Sequence, residues 1–248
     1  MVFAEGQLTL NDVVKINEAR LKLYLFLSRA FSREVDRDFL QSILDIQPAL
    51  EYFAAHFEVD EIRHGSCLLK DFAFKVKHST DGKIISDLAS AYAKLFLGVG
   101  SKIVYLCESA YANNKEHLLY RQPYFEVVKE YQALGFEKRV DFREPEDHIS
   151  VETDFMVNLC QLTISSLKEA DIKTALKYLN HQKDFLEGLL VRWVPLLSRS
   201  LMKASNSEFY TAIAYLLLGF IKIDVKLVDL LIDEVKNSAK KPLDFPNF

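Results

Sequence analysis

Apolar residues recur every three or four positions along most of this chain, the spacing that places them on one face of an α-helix. The first stripe follows Thr9, a residue type that often caps helices. No stretch alternates with the period of two that a half-buried strand requires, so the sequence predicts an all-α fold. The first stripe comprises Val13, Val14, Ile16, Ala19, Leu23, Phe26, Leu27, Ala30 and Phe31.

Turn and capping residues divide the later stripes into separate helices. Asp36 predicts the start of one short helix, and Pro48 predicts the start of another. The pair Asn113-Asn114 predicts the cap of a helix that reaches about residue 134 and ends at Gly135. Pro123 lies inside that span and is expected to kink or restart it. In all, we expect about nine to eleven helices.

The most linker-like stretch runs from Lys138 to Arg143, where charged residues interrupt the apolar periodicity. We therefore predict a domain boundary in this stretch, and we expect Pro195 to bend the second helix of the later part. The predicted divisions are an N-terminal part at 1–137, a hinge at 138–144 and a C-terminal part at 145–248, whose helices lie at roughly 145–169, 171–200, 206–221 and 224–238.

The C-terminal part opens on the stretch Arg143–Glu152, which combines a proline, several acids and a histidine. Proline is tolerated in a first helical turn, and acidic residues there face the positive end of the helix dipole. Pro145, Glu146 and Asp147 therefore predict a helix start, followed at once by His148. Such a start is either a well-made cap or a functional site.

Composition excludes several classes of function. Hydrophobic residues make up 50% of the chain and charged residues 27%, a composition typical of a folded protein. The net charge of −4 and the pI near 5.9 provide no basic surface for nucleic acid. The most apolar run, Ala212 to Ile221, is about half the length of a bilayer-spanning helix.

The cysteines and the N-terminus indicate the compartment. Cys67, Cys107 and Cys160 are widely spaced and odd in number, which fits free thiols in a reducing environment better than disulfides. The first residues do not form a basic region followed by an apolar core, so they do not look like a secretory signal. We therefore expect a soluble, cytoplasmic protein.

Two interpretations of the helix start involve His148. His148 and Glu152 are four residues apart on one helix face, where they could hold a metal with Asp147, Asp154 or His181 as a third ligand. The alternative is a capping arrangement with a His–Glu hydrogen bond, which we favour. A triad with Ser150 is disfavoured because neighbouring helical residues point about 100° apart.

A different kind of site is indicated upstream. Tyr92, Leu95 and Phe96 share one helix face, and taken alone they are typical of core positions. The irregular stretch from Leu106 to Tyr111 adds an acid and further apolar groups. Together with the Asp147 region, these stretches suit a groove for a peptide with basic and apolar parts better than a reaction centre.

Four blocks occur here in a characteristic order: Tyr92-Ala-Lys-Leu95-Phe96-Leu-Gly98, Cys107-Glu108-Ser109-Ala-Tyr111, Glu144-Pro-Glu-Asp147-His148-Ile149 and Glu152-x-x-Phe155-Met156. In these blocks the chain resembles the TorD/DmsD family of redox-enzyme maturation chaperones, over about residues 10–220. His181 and the stretch from Phe185 to Pro195 are similar to the family's late helix. At Leu106-Cys107 the chain departs from the proline and aromatic residue that the family often has, a difference that bears on specificity.

The resemblance implies an all-helical fold of two parts joined by a hinge, with the Asp-His pair at the start of the second part. It also implies a function without catalysis and without a cofactor of the protein's own. A family member binds the twin-arginine signal peptide of a molybdopterin-containing oxidoreductase and delays its export until the cofactor is inserted. Some members are also thought to contact the client's folded core or a guanine nucleotide. The positions expected to bind the peptide, by match to the family or by proximity to the matched blocks, are Tyr92, Leu95, Phe96, Cys107, Glu108, Tyr111, Glu144, Asp147 and His148.

The chemistry of these residue types fits such a ligand. Asp147, with Glu144, Glu146 or Glu108 nearby, would accept charge-assisted hydrogen bonds from arginines. Tyr92, Leu95, Phe96 and Tyr111 would receive the apolar stretch. Protonation of His148 would oppose a cationic ligand, so we expect affinity to weaken below about pH 6.

Other functions and assemblies stay open at this point. One alternative is a metal-dependent hydrolase using His148 and Glu152, and another is a helical protein–protein adaptor whose Asp-His pair is only a cap. We expect no nucleic-acid partner and, at most, peripheral membrane contact through the export machinery. We expect a monomer, although the hinge would permit a domain-swapped dimer.

Overall fold

The computed structural model describes residues 8–78, 81–100, 102–112 and 116–240. Within these ranges the chain forms α-helices and no β-strand, which confirms the all-α fold. An isolated antiparallel bridge joins Cys107 to His148. The helices are α1 (Leu10–Ser32), α2 (Arg37–Asp45), α3 (Gln47–His56), α4 (Asp60–His78), α5 (Asp81–Phe96), α6 (Ser109–Ala112), α7 (Gln122–Leu134), α8 (Ile149–Lys168), α9 (Ile172–Phe185), α10 (Val191–Ala204) and α11 (Glu208–Lys240).

Several predicted caps are confirmed. The Thr9 side chain accepts a hydrogen bond from the Asp12 backbone N–H, and the Asp12 carboxylate accepts one from Thr9 in return, which completes a capping box. Asp36 accepts from the Phe39 backbone N–H at 2.9 Å and so caps α2. The proline at position 48 lies in the first turn of α3, where its missing N–H has no partner to lose.

The region before α7 differs from the prediction. The proposed cap at Asn113-Asn114 lies outside the described residues, and 116–121 is not helical. The helix instead begins at Gln122, with Pro123 in its first turn, so the proline starts the helix. Gly135 ends it in the left-handed conformation, with φ of 65°, as predicted.

Two helix boundaries in the second half were predicted wrongly. Helix α8 begins at Ile149 and not at Pro145, because His148 is extended and acts as its N-cap. The predicted helices at 206–221 and 224–238 form the single helix α11. Helix α11 continues through Asp224, whose carboxylate binds a buried arginine from α1.

A π-helical turn interrupts the predicted long helix at 171–200. It covers Leu186–Leu190 and separates α9 from α10, which contains Pro195. Since a proline cannot donate to the carbonyl four residues earlier, the backbone around it departs readily from regular α geometry. Among the described helices, none is both long and apolar enough to cross a membrane.

Helices from the two predicted parts pack against each other. Helix α1 lies along α8, and α4 lies along α11. Two glycines allow α4 and α11 to lie close together. A Cβ at Gly219 would lie 2.5 Å from the backbone N of Ile62, and one at Gly65 would lie 2.9 Å from Leu216. The division into parts at 138–144 stays a prediction.

A buried polar network joins α1 to α11. The Arg20 guanidinium donates to both carboxylate oxygens of Asp224, at 2.5 and 2.9 Å, and neither side chain is exposed to solvent. Arg20 also donates to Asn17 and Gln182, and the Tyr24 hydroxyl donates to Asp224. Because every group of this ion pair has a partner, the network holds α1, α9 and α11 in one arrangement.

Candidate functional site

The start of α8 packs against the segment around Cys107. The Glu108 backbone N–H donates to the Asp147 carbonyl at 2.9 Å, and the Ile149 N–H donates to the Leu106 carbonyl at 2.8 Å. The Asp147 side chain then accepts from the Ser109 backbone N–H at 2.7 Å. Two of the blocks recognised in the sequence are therefore joined by backbone hydrogen bonds.

Asp147 is a buried carboxylate with one free oxygen. Its Oδ2 binds the Ser109 N–H, whereas its Oδ1 accepts no hydrogen bond from the described residues. Burial raises its pKa above the ordinary value, although the hydrogen bonds from Ser109 oppose that rise. A buried acid with an unused acceptor is costly to the fold, so this position favours a ligand that donates.

Glu108 is also buried, with 4% of its surface exposed. Its Oε1 accepts from Arg192 at 3.1 Å, and its Oε2 accepts no hydrogen bond from the described residues. Burial raises its pKa from 4.5 to about 7, against the opposing effect of Arg192. Glu108 therefore changes its charge near neutral pH.

A third buried carboxylate belongs to Glu152, in the first turn of α8. Its Oε2 accepts from the indole N–H of Trp193 at 3.0 Å, and its Oε1 is left without a donor among the described residues. Burial, followed by the charge of Glu108, raises its pKa well above the ordinary value. We call Glu108, Asp147 and Glu152 the acidic cluster, since their charges act on one another.

A cleft of about 320 Å³ opens at Glu108, the one member of the acidic cluster that lines it. Arg192 lies at this cleft and binds Glu108 at 3.1 Å and Glu126 at 2.7 Å, with 44% of its side chain exposed. A guanidinium thus already fits against one member of the cluster. The cleft is lined by Glu108, Tyr111, Ala112, Gln122, Pro123, Glu126, Arg192, Trp193 and Leu196.

His148 does not have the role predicted from its ordinary pKa. Its Nδ1 lies 2.8 Å from the Ser150 hydroxyl and accepts from the Ser150 backbone N–H at 3.1 Å. Burial, together with the charge of Lys138, lowers its pKa to about 3. The predicted His–Glu hydrogen bond is not formed, because Glu152 binds Trp193 instead. With a pKa this low His148 stays neutral at pH 6, so its protonation gives no reason for affinity to weaken there, and its contact with a peptide stays a prediction.

Three further predicted residues surround the cluster. Cys107 is buried, and burial followed by the charge of Asp147 raises the pKa of its thiol. The Tyr111 hydroxyl donates to the Tyr105 carbonyl at 2.9 Å, and its ring lies 5.7 Å from that of Trp193. Glu144 is exposed, and its charge acts on Cys107.

The predicted apolar positions lie in a different environment. Tyr92 is 7% exposed and donates to the Phe31 carbonyl at 3.1 Å, and Leu95 is 4% exposed. Phe96 is half-buried, with its ring against those of Tyr92 and Tyr210. These side chains fill the packing among α1, α5 and α11. Their contact with a peptide stays a prediction.

Sequence reasoning missed several residues of this site. Glu152 was considered as a metal ligand and as a hydrogen-bond partner of His148 but not as a binding residue, and no role was assigned to Ser109, Glu126, Arg192 or Trp193. Trp193 is the single tryptophan of the chain and lies beside an arginine, which was the one available signal. For the metal-site alternative, the described residues contain no group of three His, Cys, Asp or Glu side chains arranged to hold an ion.

The described fold is an all-helical bundle with a buried acidic cluster, one member of which lines a cleft. The family model described as nitrate reductase delta subunit matches residues 63–199, and the chain belongs to this family. The resemblance to the TorD/DmsD chaperones is thereby confirmed.

Curated relatives cover most of the chain. It is 25% identical over 221 residues to "Chaperone protein TorD" of Aliivibrio fischeri, a match spanning 88% of this chain and 99% of the relative. It is 26% identical over 231 residues to the protein of the same name from Vibrio cholerae, spanning 88% and 96%. These relatives are named as chaperones, which is a non-enzymatic role. No solved structure matches the chain.

Proposed function

We propose that the protein is a cytoplasmic chaperone that binds the twin-arginine signal peptide of a molybdopterin-containing oxidoreductase and so coordinates cofactor insertion with export. The family and the named relatives support the chaperone role. The observation that carries the peptide-binding part is the acidic cluster, in which each of three buried carboxylates leaves one oxygen without a donor among the described residues.

The ligand follows from the chemistry of those oxygens. A guanidinium presents five N–H donors in a planar fork and keeps its charge at all relevant pH values. An incoming arginine would supply donors to the free oxygens and would offset the repulsion among the carboxylates. Lysine would supply charge but no fork, so we expect the site to prefer arginine. Arg192 supports this geometry because it already binds Glu108.

The test uses a variant that removes one charge and keeps the local hydrogen bond. In Asp147→Asn, the amide oxygen can still accept from the Ser109 N–H. We expect this variant to keep its fold and to lose at least tenfold in affinity for a paired-arginine peptide, because charged hydrogen bonds contribute about 1.5–3 kcal/mol. Isothermal titration calorimetry with the paired-arginine peptide and a paired-lysine version measures both effects.

A matched control is Asp171→Asn. It also removes one negative charge, but at the exposed N-cap of α9, where asparagine caps about as well as aspartate. This variant should bind the peptide like the wild type. If the folded wild type binds neither peptide, or if the two variants lose affinity equally, peptide binding at the acidic cluster is refuted. Co-purification of a leader-bearing oxidoreductase with the wild type but not with Asp147→Asn would support it in cells.

A further inference from the structure

A group of exposed apolar side chains lies beside the site without an assigned role. Leu118 is 38% exposed, Leu119 40%, Tyr120 56% and Phe125 63%. Surface loops are usually polar, and single exposed apolar residues need no explanation, but several within eight positions form a patch. With Tyr124, whose ring packs against those of Tyr120 and Phe125, we call these five residues the apolar platform.

The backbone holds this platform in an unfavourable conformation. His117 and Tyr120 have φ of 47° and 56°, in the left-handed region that residues other than glycine rarely adopt. Surrounding contacts maintain it: the His117 ring stacks on Tyr105 at 4.4 Å, and its Nδ1 lies 2.9 Å from the Ala110 carbonyl oxygen. Backbone strain of this kind persists where neighbouring structure enforces it, frequently at binding sites.

The platform is connected to the acidic cluster through single residues. The Arg121 backbone N–H donates to the Ser109 hydroxyl at 3.1 Å, and the Ser109 N–H donates to Asp147. On the other side, burial and then Glu146, the neighbour of Asp147, raise the pKa of the Tyr124 hydroxyl. Gln122, Pro123 and Glu126, which alternate with platform residues along the chain, line the cleft. Platform and cleft are therefore two parts of one surface.

We propose that the apolar platform docks the apolar stretch that follows the paired arginines in the ligand peptide. This inference rests on the proposed function. The arginines bind at the charged cleft. The apolar residues beside the cleft fit a ligand in which an apolar part directly follows the charged part. The buried Tyr92 and Leu95 do not offer such a surface in this conformation.

The test combines three peptides with two variants. The peptides carry paired arginines and an apolar stretch, paired arginines with that stretch replaced by serines, and paired lysines with the apolar stretch. The platform variant is Leu119→Ser with Phe125→Ser. The control is Phe74→Ser on α4, which alters a phenylalanine of nearly equal exposure, 65% against 63%. Fluorescence anisotropy measures each dissociation constant, and circular dichroism checks that each variant is folded.

We expect the wild type to bind the apolar arginine peptide about tenfold more tightly than the serine version, because only the apolar peptide removes apolar side chains from water when it docks. The platform variant should lose this advantage and bind both arginine peptides alike, at the wild type's affinity for the serine version. Phe74→Ser should behave like the wild type.

Other outcomes contradict the proposal in distinguishable ways. If the platform variant binds the apolar peptide as tightly as the wild type, the platform does not dock it, while arginine recognition stands. If it loses affinity for both arginine peptides equally, the substitutions act through the cleft. If the wild type binds none of the peptides, the proposed function and this inference fail together. A wild-type dimer that the platform variant converts to monomer, with peptide affinity unchanged, would assign the surface to self-association.

Discussion

Glu108→Gln should make the protein more stable at alkaline pH, although it alters a buried, ion-paired residue. Glutamine keeps the shape of the side chain and an oxygen for Arg192, but it does not have to be ionised. The pKa of Glu108 rises from 4.5 to about 7 in the folded protein. At about 1.4 kcal/mol per pKa unit, ionising this residue in the fold costs about 3 kcal/mol.

The pH dependence follows from the direction of that pKa shift. Below 4.5 the carboxyl is protonated in both the folded and the unfolded protein, so the substitution changes little. Above about pH 7 Glu108 is ionised in the folded protein, and the wild type bears the whole free-energy cost of that buried charge. The glutamine variant has no such charge. We therefore expect a gain in unfolding free energy of about 3 kcal/mol at pH 8, falling to less than half of that near pH 5.5.

Urea denaturation at several pH values measures this difference. The control is Glu126→Gln, which removes the other carboxylate bound to Arg192. The pKa of Glu126 is lowered, chiefly by its hydrogen bond from Arg192, so its ionised form stabilises the fold. This half-exposed pair should contribute no more than about 1 kcal/mol, and its loss should destabilise slightly. A Glu108→Gln variant that is no more stable than the wild type at pH 8, or whose gain does not change with pH, would refute the reasoning.

Three further expectations follow from the same contacts. Affinity for a paired-arginine peptide should rise between pH 6 and 8, because Glu108 ionises near 7. Calorimetry should show the released proton as a binding enthalpy that depends on the buffer, and an affinity that does not change with pH would exclude Glu108 from the site. Asp224→Asn should lower the unfolding free energy measured in urea by about 3–5 kcal/mol, because it leaves the buried Arg20 charge uncompensated. Asp229→Asn, in a half-exposed ion pair on the same helix, should lower it by at most about 1 kcal/mol. Gly219→Ala should lower the melting temperature despite the better helix propensity of alanine, because the new Cβ meets the Ile62 backbone, while Gly188→Ala, with open space around it, should not.

Local patterns were sufficient for the helical fold and for many of its boundaries. The apolar stripes predicted the helices, and Thr9, Asp36 and Gly135 marked ends that the structure confirms. These features depend on interactions between residues a few positions apart, such as a cap and the N–H groups of the next turn. The ordered blocks also indicated the family, which the family model confirms.

Boundaries that depend on distant partners were not predictable in this way. Pro145, Glu146 and Asp147 have the composition of a first helical turn, yet α8 starts at Ile149. Asp147 instead binds the Ser109 N–H across the fold, and its carbonyl accepts from Glu108. Likewise the break predicted between 221 and 224 is absent: α11 continues through Asp224, which pairs with Arg20, some two hundred positions earlier.

The sequence by itself determined that this is a helical protein with an acidic stretch at Arg143–Glu152. Only the tertiary structure decided that Glu108, Asp147 and Glu152 meet, and that Arg192 and Trp193 complete the site. The physical reason is burial. Burial lowers the pKa of His148 and raises that of Glu108, so the carboxylate and not the histidine titrates near neutral pH. Burial in turn depends on which helices cover each group.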